Sequence, residues 1–165
     1  MVDCVQCGLV YASISEAEIP GELRKLGPSY RRRLTRDPGA LRASRDPDVW
    51  SALEYACHVR DVLEVQRGRL ALALAEDRPT FEPMGREERV TRDRYNDQDP
   101  AAVADQLSAN ANEIAAAFAA LRAADWARTG IYNWPTQAER SMTWLGQHTI
   151  HEGRHHLRDI DAALT

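Results

Sequence analysis

Hydrophobic positions recur at helical spacings through most of the chain, most regularly in its second quarter. The stretch from Asp48 to Glu76 contains no internal proline and a single glycine. Its aliphatic residues return at intervals that keep them on one side of a helix: Leu53, Val59, Leu63, Leu70 and Leu74. This spacing predicts an amphipathic helix that buries one face.

Three further segments predict helices, at about residues 15–34, 100–124 and 141–164. Each begins with a side chain that can accept hydrogen bonds from the first backbone N–H groups of a helix, namely Ser15, Asp99 and Ser141. Asp99 is followed by a proline, which is favoured at the first helical position. No convincing series of strands is found.

The connections differ in length and character. Residues 35–47 are rich in turn-forming residues, and residues 125–140 form an irregular connection with several aromatic residues. Residues 77–99 contain two prolines and many charges, and a loop of this length in a small domain is often functional or mobile. The pattern predicts an all-α architecture, a four-helix bundle over residues 15–165, preceded by a cysteine-bearing arm at residues 1–14.

Composition narrows the class of protein. The chain has 165 residues, enough for one domain, with 21 basic and 25 acidic residues and a formal charge of −4. A nucleic-acid-binding domain would normally carry a basic face, so we expect no nucleic-acid partner. No apolar run approaches the length of a membrane helix, and the N-terminus lacks the apolar core of a signal peptide. We therefore expect a cytoplasmic protein with no membrane partner.

The five histidines carry the strongest chemical signal, because all of them fall in two predicted helices. His58 lies in the second helix, and His148, His151, His155 and His156 lie in the fourth. His151 and His155 are four residues apart and share a helix face, whereas His156 points about 100° away from His155. Imidazoles one turn apart can share a divalent ion, with a third ligand from another helix. Ordinary surface histidines remain the alternative for such a pair.

Two segments resemble the DinB/YfiT-like superfamily. Trp50 to His58 (WSALEYACH) is similar to its second-helix motif, and His151 to Asp159 (HEGRHHLRD) is similar to its fourth-helix H-x-x-x-H motif. The resemblance implies a bundle with an up-down-down-up course and a divalent metal, zinc or alternatively nickel. By position, the metal ligands implied are His58, His151 and His155.

The resemblance also implies a range of reactions. Relatives include a mycothiol-dependent maleylpyruvate isomerase and thiol S-transferases, so a low-molecular-weight thiol such as mycothiol is an expected cofactor. The expected partners are that thiol and a small-molecule electrophile, with hydrolysis by activated water as the other reaction. Glu54 and Glu152 are candidates for proton transfer, and Arg154 and Arg158 for holding a carboxylate of the thiol. We expect a homodimer.

The cysteine arm needs a separate interpretation. Cys4, Cys7 and the following glycine have the form of half a zinc ribbon, similar to a subset of actinobacterial DinB-like proteins. The two thiols can bind zinc with two ligands from the body, such as His156 or His148. They can also form a disulfide or pair across a dimer, or belong to an unliganded arm. A non-enzymatic, zinc-binding or redox-responsive protein that uses this arm is therefore the alternative function.

Overall fold

The computed structural model describes residues 4–133 and 136–165, and it confirms the predicted all-α four-helix bundle. Four long helices form the bundle, and two short helices lie in the connections. The long helices are α1 (Ile19–Leu34), α3 (Ala52–Ala75), α5 (Pro100–Ala119) and α6 (Met142–Ala163). The short helices are α2 (Pro38–Arg42) and α4 (Arg86–Arg92).

The packing order of the long helices is not the order of the chain. α1 packs against α5 and α6, and α3 packs against the same two helices. α1 and α3 therefore occupy opposite corners of the bundle, as do α5 and α6. In a simple up-and-down bundle, helices that follow each other in sequence are neighbours instead. This arrangement places the histidine-bearing helices α3 and α6 side by side.

Side chains at the N-termini explain where the helices begin. Ser51 and Glu54 form a capping box at α3, in which each side chain accepts a hydrogen bond from the backbone N–H of the other. The predicted caps Asp99 and Ser141 accept hydrogen bonds from the first turns of α5 and α6. α1 begins at Ile19, later than predicted, and Ser15 donates two hydrogen bonds to the Glu18 carboxylate just before the helix.

The connection predicted to be irregular contains a β-hairpin. β1 (Thr129–Tyr132) pairs antiparallel with β2 (Ala138–Ser141). Each strand has only four residues, too few for an alternating pattern to stand out in the sequence. Gly130 is needed here, since a Cβ at this position would lie 2.3 Å from the Phe81 ring.

The N-terminal arm packs on the bundle through Leu9, Tyr11 and Ile14, which are all buried. The Tyr11 hydroxyl lies 2.8 Å from Nδ1 of His148 in α6. Within the described part of the chain, no helix has both the length and the apolarity to cross a membrane.

Candidate metal-binding site

A cavity of about 480 Å³ lies between α3, α6 and the long loop that follows α3. Its apolar lining includes Val62 and Val65 of α3 and Phe81, Pro83 and Met84 of the loop. All eight residues from 81 to 88 line it. Its polar side is formed mainly by His58, His148, His151, Glu152, His155 and His156.

Three of these side chains form a first cluster, the His–Glu cluster: His58 from α3 with Glu152 and His156 from α6. Their potential ligand atoms all lie within 4.8 Å of one another. The rings of His58 and His156 meet edge to face, with centroids 5.0 Å apart. His58 is only 4% exposed, and its Nδ1 is buried without a hydrogen-bond partner among the described residues. An unpartnered, buried imidazole nitrogen in such a cluster fits a metal ligand.

The charges in the His–Glu cluster follow from burial and neighbours. Burial lowers the pKa of His58 to about 4, which leaves this imidazole neutral at neutral pH. Burial also opposes charge on His156, but hydrogen bonds to Asp159 and Glu152 outweigh it and raise its pKa to about 9. Hydrogen bonds from His151 and His156 overcome the burial of Glu152 and hold its pKa well below the usual range. A bound cation would replace the proton on His156.

The second cluster, the Cys–His cluster, joins the arm to α6. Its members are Cys4, Cys7, His151 and His155, and their potential ligand atoms also lie within 4.8 Å of one another. The Sγ of Cys4 is 3.6 Å from Nδ1 of His155. Burial opposes ionisation of Cys4, but hydrogen bonds to the Cys7 backbone and to the histidines outweigh it and lower its pKa to about 6.

Glu152 links the two clusters, because it belongs to the His–Glu cluster and also contacts His151 of the Cys–His cluster. Its Oε1 is 3.2 Å from Nδ1 of His151, and its Oε2 is 3.7 Å from Nε2 of His156. Two further groups of three share side chains with these clusters: His148 with His151 and Glu152, and His155 with His156 and Asp159. Because they share members with the first two clusters, the four groups cannot all hold ions at once.

The predicted triad of His58, His151 and His155 is divided by the structure. Among the described residues, the clusters pair His58 with His156 and place His151 and His155 with the cysteines. The physical reason is helix rotation, since adjacent residues point about 100° apart. Glu152 and His156 face α3, and the pair one residue earlier contacts the arm. His156, expected beside the cysteines, therefore lies beside His58, and His155 lies beside Cys4.

The other candidate residues are also placed by the structure. Glu152 belongs to the His–Glu cluster, whereas Glu54 caps α3 through the backbone N–H of Ser51. Arg154 pairs with Glu22 of α1, and Arg158 lies beside a small concavity near Asp159. Neither arginine is among the described residues that line the large cavity.

Sequence reasoning missed a polar group on the wall of the cavity. Arg69 donates hydrogen bonds to the Tyr132 hydroxyl at 2.8 Å and to the Gln66 side chain at 3.1 Å. Its guanidinium also lies over the Tyr132 ring, 4.7 Å from the centroid. Gln66 and Arg69 follow His58 at helical spacing, so polar residues recurring on its face of α3 were the available signal.

Comparisons with known proteins agree with this architecture. A sequence profile of the DinB superfamily matches residues 29–160. The fold is similar to YfiT from Bacillus subtilis, described as a probable metal-dependent hydrolase with an unusual four-helix bundle topology. The TM-score is 0.81 at 16% identity, over 90% of this chain and 85% of YfiT.

A second similar structure is a mycothiol-dependent maleylpyruvate isomerase, with a TM-score of 0.73 at 14% identity. The alignment covers 92% of this chain but only 63% of the isomerase, so this chain spans less than two thirds of that protein. A mutant of the same isomerase matches equally well. No curated protein matches the sequence.

Proposed function

This chain belongs to the DinB superfamily, and from that premise we propose that it is a divalent-metal-dependent enzyme acting on a small molecule. The observation that carries the proposal is the position of the His–Glu cluster in the wall of the cavity of about 480 Å³. Cavities of this size suit small-molecule ligands. The cluster thus combines potential metal ligands with room for a substrate.

The donor set suits a catalytic ion. Two imidazoles and one carboxylate form a ligand set that catalytic zinc sites use, with the remaining position left to water or substrate. The unpartnered Nδ1 of His58 supports the fit, since a buried polar atom without a partner is otherwise costly. Zinc is the ion we expect first, with nickel as the alternative, because imidazole suits both.

The chain's own groups define how a substrate would be held. A divalent ion in the cluster would lower the pKa of a water or thiol ligand and so supply a nucleophile at neutral pH. Val62, Val65 and Phe81 would pack against an apolar part of the substrate and displace water from it. The Arg69–Tyr132 pair would offer polar contacts on the same wall.

Hydrolysis is the reaction we propose first, because a His₂Glu ligand set is one that zinc hydrolases use. The likeness to YfiT supports the same choice. Transfer of a low-molecular-weight thiol to an electrophilic carbon is the second candidate, supported by the likeness to the mycothiol-dependent isomerase. The partners would then be mycothiol or a similar thiol and a small electrophile. The thiol sulfur would form a bond to carbon. In a substitution a leaving group departs from that carbon, and in an addition to an alkene the neighbouring carbon accepts a proton.

The first experiment tests whether a metal ion in the His–Glu cluster has an open coordination position that an added thiol can occupy. In protein carrying Cys4→Ser and Cys7→Ser and loaded with Co²⁺, added 2-mercaptoethanol should change the cobalt spectrum and create a thiolate-to-cobalt charge-transfer band. His58→Ala in the same background should remove both the cobalt spectrum and this response. Glu54→Gln is the matched carboxylate control, because Glu54 caps α3, and it should respond like the parent protein.

Turnover provides the second measurement. Hydrolysis of 4-nitrophenyl acetate and thiol addition to 1-chloro-2,4-dinitrobenzene would be followed with and without a chelator. The proposal requires at least one reaction to depend on added zinc or nickel and on His58 and His156. If every variant of the His–Glu cluster still bound cobalt, the proposal would be overturned. That result would favour the non-enzymatic zinc-binding or redox-responsive alternative.

A further inference from the structure

We propose that Cys4, Cys7, His151 and His155 form a second, closed zinc site that fastens the N-terminal arm to α6. This site is separate from the proposed catalytic His–Glu cluster and does not depend on any enzymatic activity. It rests on four donor atoms of two chain segments that lie within 4.8 Å of one another.

The backbone of the arm already has the form that a two-cysteine zinc turn needs. The Gly8 N–H donates to the Cys4 carbonyl at 2.8 Å, and the Cys4 N–H donates to the Leu9 carbonyl at 3.1 Å. Gly8 has a φ of +72°, in the left-handed region that favours glycine. These bonds turn the chain tightly, so both thiols face the same histidines.

The two histidines are held in orientations that leave one nitrogen each for a metal. Nδ1 of His151 is 3.2 Å from the Glu152 carboxylate, which leaves its buried Nε2 for the metal. Nε2 of His155 is 3.7 Å from the Asp159 carboxylate, and its Nδ1 faces the Cys4 sulfur. Carboxylates commonly orient metal-binding histidines through the second ring nitrogen in this way.

The distances fit a tetrahedral ion. Zinc–sulfur bonds of about 2.3 Å and zinc–nitrogen bonds of about 2.0–2.1 Å imply sulfur–nitrogen separations of roughly 3.6 Å. The Cys4 sulfur and His155 Nδ1 are 3.6 Å apart. The other donor atoms lie within 4.8 Å of one another, so their side chains would have to move closer together to complete the coordination.

The charges fit the same assignment. Two thiolates and two neutral imidazoles balance the charge of Zn²⁺, and any protons that these four groups still hold are released to solvent on binding. Four protein ligands leave no open position, as in structural rather than catalytic zinc sites. Zinc would thus add coordination bonds to an arm that is otherwise held by the burial of Leu9, Tyr11 and Ile14 and by the contact of the Tyr11 hydroxyl with His148.

The test uses the whole chain, purified without a histidine tag under reducing conditions and loaded with Zn²⁺ or Co²⁺. We expect two ions per chain and, with cobalt and no added thiol, a thiolate-to-cobalt charge-transfer band. Cys4→Ser and His155→Ala should each remove one ion and the band. Cys57→Ser is the matched control, because the buried Cys57 thiol contacts the Tyr95 carbonyl and the Gln98 side chain and belongs to neither cluster, and it should keep both ions.

His156→Ala separates this proposal from the proposed catalytic site. It should remove the other ion and keep the charge-transfer band, the reverse of His155→Ala. A Cys4–Cys7 disulfide in untreated protein would overturn the zinc site, as would free reaction of both thiols in zinc-loaded protein without a chelator. The absence of the thiolate-to-cobalt band in the cobalt-loaded wild-type protein would also overturn the zinc site, whether or not the His–Glu cluster binds cobalt.

Discussion

His155 and His156 are adjacent in α6, yet they belong to different clusters. Their ring centroids are 5.3 Å apart and their planes meet at 84°. The rotation of about 100° between neighbouring helical residues directs one toward the cysteine arm and the other toward α3. Fewer than two turns of α6, from His151 to His156, thus contribute side chains to both clusters, and Glu152 contacts a member of each.

Glu54 offers a first prediction, because the structure makes it a capping residue. Replacing Glu54 by Gln should lower the free energy of unfolding by about 0.3–1.5 kcal/mol, through a weaker bond to the Ser51 N–H. The metal content should stay unchanged. Urea unfolding with elemental analysis checks both, and Ser51→Ala should cost about 1 kcal/mol by the same mechanism. Loss of an ion in Glu54→Gln would contradict the capping role.

Asp61 provides a second prediction, from a charge buried within the bundle. This carboxylate is 4% exposed and accepts hydrogen bonds from Tyr95 at 2.6 Å, from Arg60 at 2.8 Å and from Arg89 at 3.2 Å. Asp61→Ala should destabilise the fold by about 3–5 kcal/mol, since it removes the carboxylate that pairs with Arg60 and Arg89, two partly buried arginines.

A surface ion pair supplies the comparison for Asp61. Asp105 contacts Arg31 at 2.6 Å, but both side chains are at least half exposed. Asp105→Ala should change stability by less than about 1 kcal/mol, because water screens this pair. Similar losses in the two variants, measured by urea unfolding, would refute the assignment of Asp61 to the buried network.

The sequence predicted the bundle because long helices leave a strong periodic signal. Leu53, Leu63 and Leu70, for example, are all buried as the pattern required. The hairpin left no comparable signal, since its strands are short. The sequence also drew attention to the side chains that the structure gathers, because all five histidines and the two arm cysteines belong to groups of potential metal ligands.

The grouping of these candidates was not predictable from one sequence. The H-x-x-x-H spacing does place His151 and His155 on one face of α6, and that face lies against the N-terminal arm. Glu152 and His156 are also four residues apart, one residue later in the sequence, and they share a different face of the helix. A shift of one residue rotates the face by about 100°, and only the packing of α3 and the arm on α6 decides which face meets which partner.

Two glycines provide a third prediction, because replacing them by alanine should change the stability of the protein in opposite directions. A Cβ on Gly153 of α6 would lie 2.5 Å from the Leu26 side chain, whereas one on Gly68 of α3 would meet nothing within 4 Å. Gly153→Ala should therefore destabilise the protein by about 1–3 kcal/mol through overpacking. Gly68→Ala should stabilise it by about 0.5–1 kcal/mol, because alanine loses less backbone freedom in a helix. Thermal unfolding of the zinc-loaded proteins measures both, and equal shifts would contradict the close contact of α1 and α6.

The contact of Glu152 with both clusters gives the last prediction. Once the Cys–His cluster binds zinc, His151 is fixed, and its Nδ1 holds one oxygen of Glu152 at 3.2 Å. Cys4→Ser with Cys7→Ser frees this imidazole, so the ion affinity of the His–Glu cluster should fall by about 10–100-fold, a usual cost of losing an orienting contact. Zinc titration in competition with a chromophoric chelator measures the affinity, and Cys57→Ser serves as the control. An unchanged affinity would show that Glu152 is oriented by α6 and His156 alone, and that the two sites act independently.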